Sequence, residues 1–187
     1  MNPLIQFITN QVPLEESTKE KLLSICVEKK YQKGDALLKI GGYCNHFYFI
    51  TNGITKLSFE ANEGEFIMRF FQEYILFTEL ESLTTATPSS YKITALEDVD
   101  CVLIPYAQFE NICKEDPHLA LLYNKMLTMA HINMMNRISE MLESNATTRY
   151  DNFLHQHAKI INRISLGDLS RYLGINQVTL SRIRRKI

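Results

Sequence analysis

The segment Ile164 to Ile187 reads ISLGDLSRYLGINQVTLSRIRRKI, and its polar residues are of the types that read base pairs. Gln177, Val178 and Arg182 fall at the start of a helical stretch or one turn on. Glutamine can bond adenine, arginine can pair bidentately with guanine, and valine can touch a thymine methyl. Thr179, Ser181, Arg184, Arg185 and Lys186 add hydroxyls and cations suited to phosphate oxygens. Such roles need a frame that turns one face of the helix outward. Ser165 followed by Asp168 approximates a capping box for a first helix that buries Leu166, Leu169 and Leu173. Gly174 supplies a left-handed stop, and Asn176 caps a second helix that buries Leu180, Ile183 and Ile187. Two short helices crossing at a glycine turn also need a small residue one turn before the glycine and an apolar residue in the second helix. Ser170 and Leu180 meet those conditions. The pattern is that of a helix-turn-helix, and the partner it implies is double-stranded DNA.

Charge distribution supports the same reading. Residues 145–187 carry 8 Lys+Arg (Arg149, Lys159, Arg163, Arg171, Arg182, Arg184, Arg185, Lys186) against Asp151 and Asp168 alone. Residues 1–144 carry 12 basic and 19 acidic residues. A basic module is thus attached to an acidic one.

A reading helix this short gives limited affinity alone, and a dimer would present two of them. Asp116-Pro117 marks a helix start, and no Gly or Pro interrupts the chain from there to about Glu143. Such a helix would span roughly 40 Å. Ala120, Leu127, Met134 and Met141 recur at heptad spacing, with His131 and Ile138 between them. This spacing predicts a two-stranded seam, with Leu122, Met126 and Met129 turned to the rest of the domain. A shorter helix is expected from Thr147 to about His157.

Upstream, Gly34, Gly41, Gly42, Gly53 and Gly64 punctuate segments rich in aromatic and β-branched residues. His46–Thr51, Gly53–Phe59, Glu65–Phe71, Ser90–Leu96 and Val99–Ile104 read as strands of an all-β sandwich or barrel, with a helical stretch, Glu15–Val27, before them. Cys26, Cys44, Cys101 and Cys113 lack the clustering of an iron–sulfur site and read as reduced, mostly buried thiols. His155 and His157 point to different sides of a helix, so no metal site is expected. The strands hold His46 alone, without the HxH or HxE pair of a cupin-like metal enzyme, the alternative from another functional class. A second alternative is a regulator that acts only through protein partners. Neither a secretory signal nor a membrane-length apolar run is visible, and a cytoplasmic location is expected.

Three blocks resemble the Crp/Fnr superfamily of bacterial regulators. They are KGDALLKIGGYCNHFYFITNG (Lys33–Gly53), LFTELESL (Leu76–Leu83), and TRYDNFL through LGINQVTLSRIRRK (Thr148–Lys186). The combination YLG…LSRIRRK is especially similar to a branch common in Bacteroidetes-like bacteria. The resemblance implies an α+β chain. Residues 1–116 would form a cyclic-nucleotide-binding-like β-roll (a double-stranded β-helix) and 117–143 the dimerisation helix. Residues 144–187 would form a (winged-)helix-turn-helix. It further implies a homodimer that binds a palindromic operator and contacts RNA polymerase. It places the phosphate cassette at Thr78, Glu79, Leu80, Ser89 and Ser90, and the base-reading positions of the long helix at Met134 and Met135. Cyclic-nucleotide binders in the family use a Gly-Glu pair and an Arg-Ser pair, whereas Thr78-Glu79 and Ser89-Ser90 stand here. The missing arginine predicts weak or no cyclic AMP binding, with Arg69 and Lys92 as candidate replacement cations. No cofactor is expected, and the effector is left open.

Overall fold

The computed structural model describes residues 2–62 and 64–185. Two helices open the chain, α1 (Pro3–Thr9) and α2 (Glu16–Ile25). Eight strands follow: β1 (Val27–Tyr31), β2 (Ala36–Leu38), β3 (His46–Asn52), β4 (Thr55–Ala61), β5 (Gly64–Phe71), β6 (Leu76–Phe77), β7 (Lys92–Ala95) and β8 (Val99–Pro105). Helix α3 (Leu80–Thr85) interrupts them between β6 and β7. The chain then turns helical through α4 (Tyr106–Glu115), α5 (Pro117–Glu143), α6 (Ala146–Gln156), α7 (Leu166–Leu173) and α8 (Gln177–Arg184). No strand follows α8 among the described residues, so they contain no wing.

The strands form two antiparallel four-stranded sheets, in the orders β1-β8-β3-β6 and β2-β7-β4-β5. Their facing sides enclose one core. Phe47, Phe49, Ile50 and Ile104 meet Leu4 and Ile8 of α1, Phe109 of α4, and Leu119 and Leu122 of α5. Gly53 must be glycine: its φ is +97°, and a Cβ there would lie 2.5 Å from the Asp98 carbonyl oxygen. Helix α5 starts where Asp116 accepts from the His118 amide at 2.8 Å, and the same carboxylate accepts from Thr18 Oγ1 at 2.6 Å. The helix is thereby pinned to α2.

A second core joins the C-terminal helices to the outer face of the β2-β7-β4-β5 sheet. Ile54, Ile67 and Phe70 pack with Tyr150, Phe153, Leu169, Tyr172, Leu173 and Leu180. A register shift between Leu57 and Ser58 makes this possible, because Leu57 faces Arg69 and Ser58 faces Ile67, leaving Met68 without a partner. One strand therefore sends Ile67 and Phe70 into the helix-turn-helix core and Met68, Arg69 and Phe71 to a cavity on its other side.

Candidate nucleic-acid interface and effector cavity

The reading helix α8 is built as its sequence demands. Asn176 Oδ1 accepts from the Thr179 amide at 2.8 Å, satisfying one of the free donors at the helix start. Gly174 ends α7 in the left-handed region, and its amide donates to the Ser170 carbonyl. Ser165 Oγ accepts from the Asp168 amide at 2.9 Å and donates to the Asp168 carboxylate at 2.6 Å. Ser170 is buried at the crossing with its hydroxyl donating to the Gly167 carbonyl, and Leu180 and Ile183 are buried beneath α8. Gln177, Val178, Ser181, Arg182 and Arg185 line one shallow hollow on the outer face, where Val178 is 61% exposed. Thr179 is half-buried and Arg184 exposed, while Lys186 and Ile187 lie outside the described residues. No salt bridge engages Arg182, Arg184 or Arg185 among the described residues, so the cations of this face are available to phosphate and bases.

Arg163 and Arg149 of the basic third, with Arg137 and Lys56 outside it, have structural roles. Arg163 pairs with Glu73 and Glu97 of the sheet domain. Arg149 Nε donates to the Leu173 carbonyl at 2.9 Å and Arg137 to the Tyr172 carbonyl, so two guanidiniums meet the negative end of α7. Lys56 on β4 sits 2.8 Å from both Glu65 and Asp168, tying the sheet to the start of α7. Part of the charge asymmetry along the chain is therefore complementarity between its two halves. Burial would raise the Glu65 carboxyl. Hydrogen bonds from Lys56 and Ser58, with the charges of Lys56 and Lys92, hold it at about 2 instead.

Between the sheets' edge, α3 and α5 lies a cavity of about 870 Å³, within the range of small-molecule sites. Thr78, Glu79, Leu80 and Met134 line it as the sequence suggested. Ser89, Ser90 and Met135 do not. Ser89 is instead buried in a loop contact, its backbone pairing with Gly41 and Gly42 and its hydroxyl accepting from the Tyr91 amide. Met135 is half exposed and outside the cavity lining. Glu79 is 4% exposed and turned inward: its two oxygens accept from the Glu81 and Ser82 amides at 3.0 and 3.1 Å. The carboxylate thus occupies the amides at the start of α3 that an incoming anion would use. Thr78 Oγ1 donates to the His46 carbonyl and lies 3.2 Å from Cys44 Sγ. Lys92 is taken by Glu60 and Glu65. Arg69 reaches the cavity, stacked over Phe71 at 5.6 Å. Leu57, Tyr91, Asn133 and Arg137 also line it. No sequence signal marked them, because a nonlocal sheet and helix bring them together.

The heptad reading of α5 needs correction. Met141 is not a free seam residue, because its methyl lies where a Cβ of Gly174 would come within 2.8 Å, so it faces the helix-turn-helix. Leu127 turns into the cavity and Ala120 is half-buried. Met129, expected to face the sheets, is 53% exposed although it still borders the cavity. His131, Met134 and Ile138 are exposed, and His131 and Met134 also border the cavity. The apolar side chains left outward also include Leu121, Ile132, Met135 and Leu142. Leu119, Leu122, Tyr123 and Met126 pack inward.

Among the described residues no three His, Cys, Asp or Glu converge as a metal site would require. The cysteines are separate thiols, and burial pushes Cys101 up to about 12 and Cys26 and Cys113 to about 11. No helix among the described residues is long and apolar enough to cross a membrane.

Comparison with known proteins agrees with this geometry. Residues 28–116 match the family model described as cyclic nucleotide-binding domain. No curated protein matches the chain significantly. Among solved structures, the c-di-GMP-responsive global regulator CLP of Xanthomonas campestris aligns with a TM-score of 0.75 at 15% identity, over 92% of this chain and 91% of its own. FixK2 from Bradyrhizobium japonicum gives 0.77 at 17% identity, over 87% and 84%. A chain from Eubacterium rectale described as a transcriptional regulator of the Crp/Fnr family gives 0.73 at 18% identity, over 92% and 83%.

Proposed function

We propose, for a chain whose residues 28–116 match the cyclic nucleotide-binding domain family and which carries the architecture of Crp/Fnr regulators, that it is a sequence-specific DNA-binding transcription regulator. The observation that carries this reading is the outward face of α8. A capped, rigid helix holds Gln177, Val178 and Arg182 toward solvent, and Arg184 and Arg185 are free of intramolecular acids among the described residues. Gln177, Val178 and Arg182 are assigned to base edges, and Thr179, Ser181, Arg184, Arg185 and Lys186 to phosphates.

The working unit is a homodimer formed along α5. A monomer would leave Leu121, Ile132, Met135, Ile138 and Leu142 in water, the last 81% exposed. Pairing two such helices buries this ridge. It also sets two reading helices about 34 Å apart, one turn of DNA. The cavity is an effector site that does not take cyclic AMP. Its cassette arginine is absent, its helix amides are occupied by Glu79, and methionine stands where base-reading polar groups would be needed. An occupant would act on the reading head by two short routes. One is β5, which touches the cavity with Met68, Arg69 and Phe71 and the helix-turn-helix with Ile67 and Phe70. The other is Arg137, which lines the cavity and donates to the Tyr172 carbonyl. An effector that prefers one arrangement of these groups shifts the population of reading-head positions.

Selection of bound sites from random duplex DNA tests the proposal. An inverted repeat with half-sites about one helical turn apart is expected, and recovery of no enriched sequence would overturn it. Calorimetry with cyclic AMP tests the cavity: no heat is expected at micromolar ligand, and submicromolar affinity would contradict the reading of the cassette.

A further inference from the structure

We infer that the cavity takes an apolar monocarboxylic acid, its carboxylate held by Arg69 and its hydrocarbon body laid against the aromatic and methionine side chains beyond it. The inference rests on reading the cavity as an effector site.

A half-buried cation without an acid partner among the described residues lies on this cavity. Arg69 is half-buried with no hydrogen bond or salt bridge among the described residues, its only close partner being the face of Phe71. Burial holds its guanidinium below its ordinary pKa, the expected state of a cation without a counter-ion. Arg137 is 9% exposed. It spends one nitrogen on Glu140 at 2.8 Å and another on the Tyr172 carbonyl, but its Nε is buried without an acceptor. That nitrogen has no open surface and the guanidinium lies 4.0 Å from the Tyr172 ring centroid, so Arg137 serves the helix-turn-helix and Arg69 is the cation offered to a ligand. A partly desolvated cation without a counter-ion is costly, and a carboxylate placed beside Arg69 relieves that cost.

The remaining walls set the rest of the ligand. Leu57, Phe71, Phe77, Tyr123 and Met126 offer apolar surface, and most of the cavity wall is apolar. A multiply charged ligand is disfavoured, because Glu79 and Glu81 also line the cavity and the α3 amides already hold Glu79. A single carboxylate on a hydrocarbon body fits both constraints.

Direct binding of decanoate tests the inference, measured by calorimetry on the full chain below the micelle concentration. Decan-1-ol serves as the neutral match, and Arg69→Met and Arg69→Lys as variants. Loss of a charge-assisted contact weakens binding roughly tenfold to a hundredfold. Arg69→Met should therefore weaken decanoate by that factor and leave decan-1-ol unchanged, while Arg69→Lys retains much of the affinity. Equal decanoate binding by wild type and Arg69→Met, with both showing the same thermal midpoint, would overturn the inference. So would the absence of decanoate binding to the wild type. Should Arg69→Met fold poorly, the wild-type preference for decanoate over decan-1-ol decides alone: a preference of tenfold or more is expected, and none overturns. DNA binding by the same preparation is scored separately, so loss of the carboxylate site leaves the regulator reading intact, and the converse holds.

Discussion

Lys56→Met should loosen the helix-turn-helix from the sheet domain. The ammonium is buried, 2.8 Å from Glu65 and 2.8 Å from Asp168, and both carboxylates are largely shielded from water. Removing one partner of a buried pair costs about 3–5 kcal/mol, because the other charge is left uncompensated. Here the loss is moderated. Glu65 keeps Ser58 and, at 3.3 Å, Lys92, and Asp168 keeps Ser165 and, at 3.6 Å, Arg171. About 2–4 kcal/mol is expected, or roughly 4–16 °C in thermal midpoint for a chain of this size. Urea unfolding followed by circular dichroism measures it, since the chain has no tryptophan. Adding Glu65→Gln and Asp168→Asn to Lys56→Met should return most of the loss, because no buried charge then remains. A loss below about 0.5 kcal/mol, the value of an exposed ion pair, would refute the buried cluster.

The seam on α5 predicts that Ile132→Glu with Met135→Glu yields a monomer by sedimentation, with a secondary-structure spectrum like wild type. A dimer that persists would place the interface elsewhere. Gly174→Ala should cost about 1–2 kcal/mol, since its φ of +63° suits glycine and the new methyl meets Met141; equal or greater stability in urea would contradict this. Acid should lower the stability of the chain over two pH ranges. His157, held below its ordinary value by burial, Arg69 and Arg137, contributes stability above about 6.5 that fades as pH falls below it. Glu65, at about 2, and Glu73, held low chiefly by Arg163, contribute stability present above about 4.5 and lost as pH falls toward 2. A melting temperature flat from pH 7 to 3 would contradict both.

The parts legible in the sequence are those governed by neighbours along the chain. The caps Asn176, Ser165 and Asp116 and the stop at Gly174 lie within a turn of the amides and carbonyls they serve, so α5, α7 and α8 follow from local chemistry. Strands β3, β4, β5, β7 and β8 show through their aromatic and β-branched runs. β1 does not, because VEKKY buries only Tyr31 and is held by pairing with β8. The outward side of α5 is hidden for a related reason. Helix α5 is apolar on both sides, and spacing cannot tell which side the sheets cover. Arg137 was hidden because a buried arginine on that helix makes sense only once α7 folds back to offer its carbonyl. Arg163, counted in the basic module, is paired with Glu73 and Glu97 from distant parts of the chain, which no local spacing reveals. Glu79 was identified at its position in the cassette, but its inward turn onto the α3 amides is a matter of rotamer.

The most direct measurement of the central claim is a band-shift titration of the selected operator at 50 and 200 mM salt, with wild type and Arg182→Ala. Two reading heads, each placing Arg184, Arg185 and Lys186 on phosphates, predict a logarithmic salt slope of about −5 and roughly a thousandfold loss over that range. Arg182→Ala should weaken operator binding by about 1–3 kcal/mol per head and leave nonspecific binding nearly unchanged. Binding indifferent to both salt and Arg182→Ala would contradict the assignment of α8 as the DNA-reading element.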